Sequence, residues 1–184
     1  MKNLNYRKEK SFYKFFKPWI FSILLLPFAI YYTINGGKFT FIDYVNLLIH
    51  EGGHGIFKIF GRFVYTLGGS LMQVIIPGMF VVFYAIKKVR IGLQIFMLWL
   101  GENLINISVY VSDARARKLP LLGGHKVYHD WHWLLGEMGL LDYDELLGQM
   151  LFMIGIVMFI LCLLVPLFIK EIEPGDKAQI DLTL

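Results

Sequence analysis

A single cysteine, Cys162, lies inside an apolar run. No internal disulfide can form, and the residue reads as a small buried hydrophobe. Charge is scarce as well. Asp, Glu, Lys and Arg make up 17% of the 184 residues, against 57% for the hydrophobic ones. Few water-soluble domains are this apolar. The net charge of +4 does not point to nucleic acid, because Lys and Arg cluster beside apolar segments. That is how a membrane topology signal looks. No internal repeat and no low-complexity segment is present. The length suits one helical bundle and leaves little room for a separate soluble domain.

What the chain does have is long apolar runs. They predict an all-α integral membrane bundle of four to five transmembrane segments, one of them kinked or re-entrant. Residues 1–17 carry six Lys/Arg with aromatics between them, and read as a basic cytoplasmic segment at the membrane interface. Residues 18–169 form the membrane-embedded domain, and 170–184 a polar C-terminal tail. The expected spans are 18–35, 39–60, 67–86, 91–112 and 146–169. No small-x-small cleavage pattern follows the first, so it reads as an uncleaved anchor. In the third, Pro77-Gly78 predicts a kink or a break. Charge leaves topology open: five crossings with the N-terminus inside place Lys87, Lys88 and Arg90 outside, against the usual bias.

Two helical stripes carry the polar residues. Asp43, Asn46, His50 and His54 fall at i, i+3, i+7 and i+11 of the second segment. Asn103, Asn106, Tyr110 and Asp113 do the same on the fourth, with Glu102 beside them. Such stripes turn toward protein or water, because polar groups are expensive in lipid and functional by default. Gly52, Gly53 and Gly55 would let another backbone approach the second segment.

The first stripe holds His50-Glu51-Gly52-Gly53-His54, an H-E-x-x-H pentapeptide. Two histidines at i and i+4 on a helix share a face and can share one Zn²⁺. The Glu between them is placed to take a proton from metal-activated water. A catalytic zinc typically takes three protein ligands, so a third must come from elsewhere. The other histidines are His125, His129 and His132, in the long non-spanning region 114–145. His129 leads the third-ligand candidates. Asp113, Asp130 and Glu102 are alternatives, and whichever of Asp113, His129 and Asp130 is not a ligand can hold an imidazole N–H and fix its tautomer. Gln73, Asn106 and Tyr110 are candidates for holding the ligands or facing substrate, and for Gln73 a helix-to-helix hydrogen bond is the stronger alternative. Asp130 would cap a short helix starting at Trp131. Asp43, two turns before His50, reads as a start-of-helix carboxylate.

An H-E-x-x-H in a membrane helix, a Gly-rich segment with Pro-Gly after it, and a late Asp or His resemble the site-2 protease class of membrane-embedded zinc metallopeptidases. The resemblance runs from about residue 39 to 133, and only the pentapeptide is specific. It implies Zn²⁺ on His50 and His54, Glu51 as general base, and cleavage of a peptide bond at or near membrane depth. Membrane lipid, and a peptide or transmembrane protein as substrate, would be the partners. That class takes its third ligand from an Asp-Gly pair, which this chain lacks; Val111-Ser112-Asp113-Ala114 is the nearest analogue. The tract from Ser112 to Arg117 and His129-Asp130-Trp131 look like features of a compact bacterial branch, which implies the bacterial cytoplasmic (inner) membrane. Two rivals remain: a catalytically inactive metal-binding or partner-binding protein of the same fold, and a metal transporter. The first and last spans offer a transporter almost no polar path.

Overall fold

The computed structural model describes residues 16–120 and 128–169. The basic N-terminal segment up to residue 15, His125 and the C-terminal tail lie outside them. A 3-10 turn at Lys17–Trp19 leads into α1 (Ile20–Asn35), which ends at Gly36 in the left-handed conformation that glycine adopts without cost. α2 (Phe41–Phe57) carries the pentapeptide. A second 3-10 turn, Lys58–Phe60, precedes α3 (Arg62–Ile86). α4 (Arg90–Ser112) follows a tight turn. The short α5 (Asp130–Glu137) and a 3-10 turn, Leu141–Tyr143, lead into α6 (Asp144–Phe168). The described residues contain helices and no strand.

Four stretches are long and apolar enough to cross a membrane: Lys17–Asn35, Arg62–Ile86, Arg90–Ser112 and Leu141–Phe168. α2 falls short. Its 17 residues span about 26 Å at ~1.5 Å per residue, against a hydrocarbon core of about 30 Å. The site-bearing helix is also interrupted by Asp43, Asn46, His50, Glu51 and His54, and is not among the four. α3 begins earlier than its apolar run, at Arg62, and stays helical through Pro77. Proline there removes the N–H that would bond the Gln73 carbonyl one turn back. Pro77 is buried, and neighbouring helices that pack around a proline let a membrane-type helix continue past it.

α4 is the central element. Leu93, Met97, Leu100, Ile105, Ile107 and Val111 are all buried on it. Glycines set how closely its neighbours pack. A methyl group on Gly101 would run into Phe159 and the Gly155 carbonyl, so α4 and α6 meet backbone to backbone. On the other side, Gly53 of α2 lies against the backbone of Gly68 in α3, and a side chain at either position would overlap the opposite helix. Gly52 and Gly55 face open space. Of the three glycines near the motif, only Gly53 is a packing glycine.

Polarity runs opposite to that of a water-soluble domain. Asp43, Asn46, Gln73, Gln94, Glu102 and Asn103 are buried, while Ile23, Leu24, Phe83, Leu48 and Ile160 are exposed. The buried polar groups bond one another across helices. Asn46 donates to Glu102 Oε2 at 2.7 Å and accepts from Trp99 Nε1 at 2.9 Å. Gln94 ties α4 to both α1 and α6, through Ser22 and the Cys162 carbonyl. Cys162 itself is buried and free.

Candidate metal centre

α2 starts at a reciprocal capping box: Thr40 and Asp43 each accept from the other's backbone N–H. This anchors the helix so that its polar stripe faces α3 and α4. His50 and His54 then project one turn apart, with ring centroids 4.8 Å from each other. His50 lies flat against α3 because Gly69 has no side chain; a methyl group there would strike the imidazole.

Both rings direct Nε2 at one atom. His50 Nε2 lies 3.0 Å and His54 Nε2 3.2 Å from Oδ2 of Asp130, the first residue of α5. Both Nδ1 atoms face acceptors on the far side. His50 Nδ1 is 2.9 Å from Gln73 Oε1, and His54 Nδ1 is 2.8 Å from the Tyr65 carbonyl. Each ring thus meets an acceptor at both nitrogens, whereas a neutral imidazole has one proton to give. The point between His50, His54 and Asp130 calls for positive charge. Two extra protons or one divalent cation would supply it.

A metal fits that point. The ligand atoms of His50, His54 and Asp130 lie within 4.8 Å of one another. Two imidazoles and a carboxylate match the donor set of three-ligand catalytic zinc sites. Acceptors on both Nδ1 atoms hold the tautomer that turns an Nε2 lone pair toward a metal. Among the described residues this is the one group of three or more His, Cys, Asp or Glu so arranged.

Asp130 is held in place from α4. The Tyr110 hydroxyl accepts the Asp130 backbone N–H at 3.0 Å and lies 3.4 Å from Asp130 Oδ2. α5 is docked by Trp131 Nε1, which donates to Ser70 Oγ at 3.0 Å, and by His132 Nδ1, 2.8 Å from the Ala114 carbonyl. Burial works to raise the Asp130 carboxyl, but hydrogen bonds and charge from His50 and His54 outweigh it and hold the group at about 2. Asp130 is therefore a carboxylate, as a ligand must be.

His129, the leading third-ligand candidate of the sequence, is placed elsewhere. It is the N-cap of α5: its Nδ1 accepts the His132 backbone N–H at 3.2 Å. The proton must then sit on Nε2, which lies 3.4 Å from Asp113 Oδ2, close but without hydrogen-bond alignment. No lone pair remains for a metal. Burial lowers the basicity of this ring, and the Asp113 charge offsets that only in part. The cap expected from Asp130 thus falls to His129, which releases the Asp130 side chain toward the histidine pair. Asp113 accepts the backbone N–H groups of Lys118 and Leu119 at 2.9 Å each, closing the turn after α4. Glu102 is engaged by Asn46. Asn106 does not touch the pair; it bridges Asp43 and Gln73, donating to Asp43 Oδ1 at 2.6 Å.

Glu51 is exposed and lines a cavity of 1090 Å³ with His50, His54 and Asp130. The cavity reaches from the Gly36–Phe39 turn to Arg62, Tyr128 and Trp133. The guanidinium of Arg62 lies 4.5 Å above the Trp133 ring at that end.

No protein-family model, curated protein or solved structure matches this chain. The functional reading therefore rests on the site itself. One part of that site had no signal in the sequence: the Tyr65 acceptor is a backbone carbonyl, which any residue carries.

Proposed function

We propose that this protein is a membrane-embedded zinc peptidase resembling the site-2 protease class, which hydrolyses a peptide bond within or near the membrane. The observation that carries the reading is the convergence of both motif histidines on one Asp130 oxygen, with both Nδ1 atoms backed by acceptors. His50, His54 and Asp130 would hold the ion. Zn²⁺ supplies Lewis acidity at such a site, polarising a carbonyl and bringing the pKa of water toward ~7.

Glu51 then acts as the base. It takes a proton from the attacking water and delivers it to the nitrogen of the leaving amine. Its exposure on the cavity side keeps it free of competing partners in the helix packing. The cavity is large enough for an extended peptide segment beside the histidines, and Trp133 and Tyr128 line it as well. The four helices of membrane-crossing length support placement in a bilayer, and the bacterial cytoplasmic membrane is the compartment implied by the resemblance. Membrane lipid and a peptide or transmembrane-protein substrate are the partners. Nucleic acid is not one.

The test is Glu51→Gln in purified protein reconstituted in proteoliposomes with a library of membrane peptides. Zinc content should be unchanged, and hydrolysis should fall by about 10²–10⁴-fold, the usual contribution of a general acid–base group. Hydrolysis at the wild-type rate would remove Glu51 as base. Wild-type protein that holds no zinc would remove the reading altogether.

A further inference from the structure

We propose that Asp43 is a positioning residue for the metal pair, acting through Asn106 and Gln73 to fix which nitrogen of His50 faces Asp130. The inference rests on the zinc reading of the site.

With Asp43 as a carboxylate, the chain of contacts has a single polarity. An ionised carboxylate can only accept hydrogen bonds. Asp43 Oδ2 already accepts from the Thr40 backbone N–H and, at 2.8 Å, from its hydroxyl. Its Oδ1 must therefore meet the amide NH₂ of Asn106, 2.6 Å away. That turns the Asn106 oxygen toward Gln73, whose Nε2 donates to it at 3.1 Å. The carbonyl end of Gln73 is left facing His50 Nδ1 at 2.9 Å. An acceptor there demands a proton on Nδ1 and leaves Nε2 for the ligand point.

Amide orientations are ordinarily a matter of assignment, since the two ends look alike. Here two groups with a single role fix them. Asp43 is one. The other is the Trp99 backbone carbonyl, which accepts from Asn103 Nδ2 at 2.9 Å and so turns the Asn103 oxygen toward Gln73 at 3.3 Å. The Asn103 arm is longer, and Asp43 is the stronger of the two anchors. Asp43 thus has a role beyond starting its helix: it sets the direction of a relay that crosses from α2 to α4 to α3 and returns to α2.

Asp43→Asn keeps the shape and reverses the instruction. Thr40 still requires an oxygen, so the new amide presents NH₂ to Asn106. Asn106 and Gln73 then turn over, and Gln73 offers His50 a donor. The experiment uses the full chain in detergent, with ¹⁵N-labelled histidine. Imidazole nitrogen shifts are read in metal-free protein, and zinc affinity by competition with a chelator. In wild type, His50 Nδ1 should be protonated. In Asp43→Asn a bare Nδ1 should appear, and zinc affinity should fall by about tenfold, within the range for groups that orient a ligand. Adding Gln73→Glu should restore both, since a carboxylate at 73 accepts from Nδ1 whatever Asn106 does. That rescue separates lost orientation from lost folding. A protonated Nδ1 and unchanged affinity in Asp43→Asn, or no rescue by Gln73→Glu, overturns the proposal. Nδ1 protonation is read without metal, so this inference can fail while zinc binding stands, and the reverse.

Discussion

Asp130 and His129 are adjacent in sequence and opposite in role, and the difference comes from where each spends its side-chain atoms. His129 gives Nδ1 to the first turn of α5, while Asp130 sends Oδ2 to the histidine pair. Asp130→Ala should therefore abolish stoichiometric zinc. His129→Ala should keep the zinc and lose a helix cap, a cost of about 1 kcal/mol. Metal analysis and thermal unfolding of the two purified variants check this; zinc retained in Asp130→Ala and lost in His129→Ala would exchange the assignments. The sequence names His50, Glu51 and His54 through a fixed spacing on one helix. It does not choose between two neighbouring residues in a distant loop, because that choice depends on the register of α5 against α4. A histidine N-cap has no strong sequence signal, since caps are dominated by Ser, Thr, Asp and Asn.

Among the helices, the pairing of α2 with α3 decides whether the site exists. Gly53 sits against Gly68, and Gly69 makes room for the His50 ring. Gly53→Ala should destabilise the protein by about 1–3 kcal/mol, the range for forcing an extra methyl into a tight contact. Gly52→Ala, in open space, should be neutral or stabilising by up to about 1 kcal/mol through helix propensity. Thermal unfolding in the same detergent compares them; equal effects would mean that the close crossing is not what holds α2. The glycine cluster is visible in the sequence, but which glycine touches a backbone depends on the azimuth of the partner helix. The polar stripes were legible for the opposite reason. A period of 3.6 residues and the cost of polar groups in an apolar segment are properties of one helix alone. Pro77-Gly78 pointed to a kink or a break. α3 runs unbroken through it, so there is no break.

For the molecule as a whole, apolar residues outside and amides and carboxylates inside describe a bundle suited to lipid. Protein produced in cells should sediment with membranes, stay there through an alkaline carbonate wash and leave in detergent. Recovery in the soluble fraction would count against a membrane-embedded site. The number of long apolar helices was nearly readable from composition; α2 departs because its apolar run is interrupted by the very residues that make the site. Eighty residues separate His50 from Asp130, with α3 and α4 between them. A ribosome releases the pentapeptide long before it releases α5. A half-made chain carries the motif without the carboxylate that meets its two histidines. The three side chains come together only once α5 has docked against α2 and α4, with α6 still to follow in the chain.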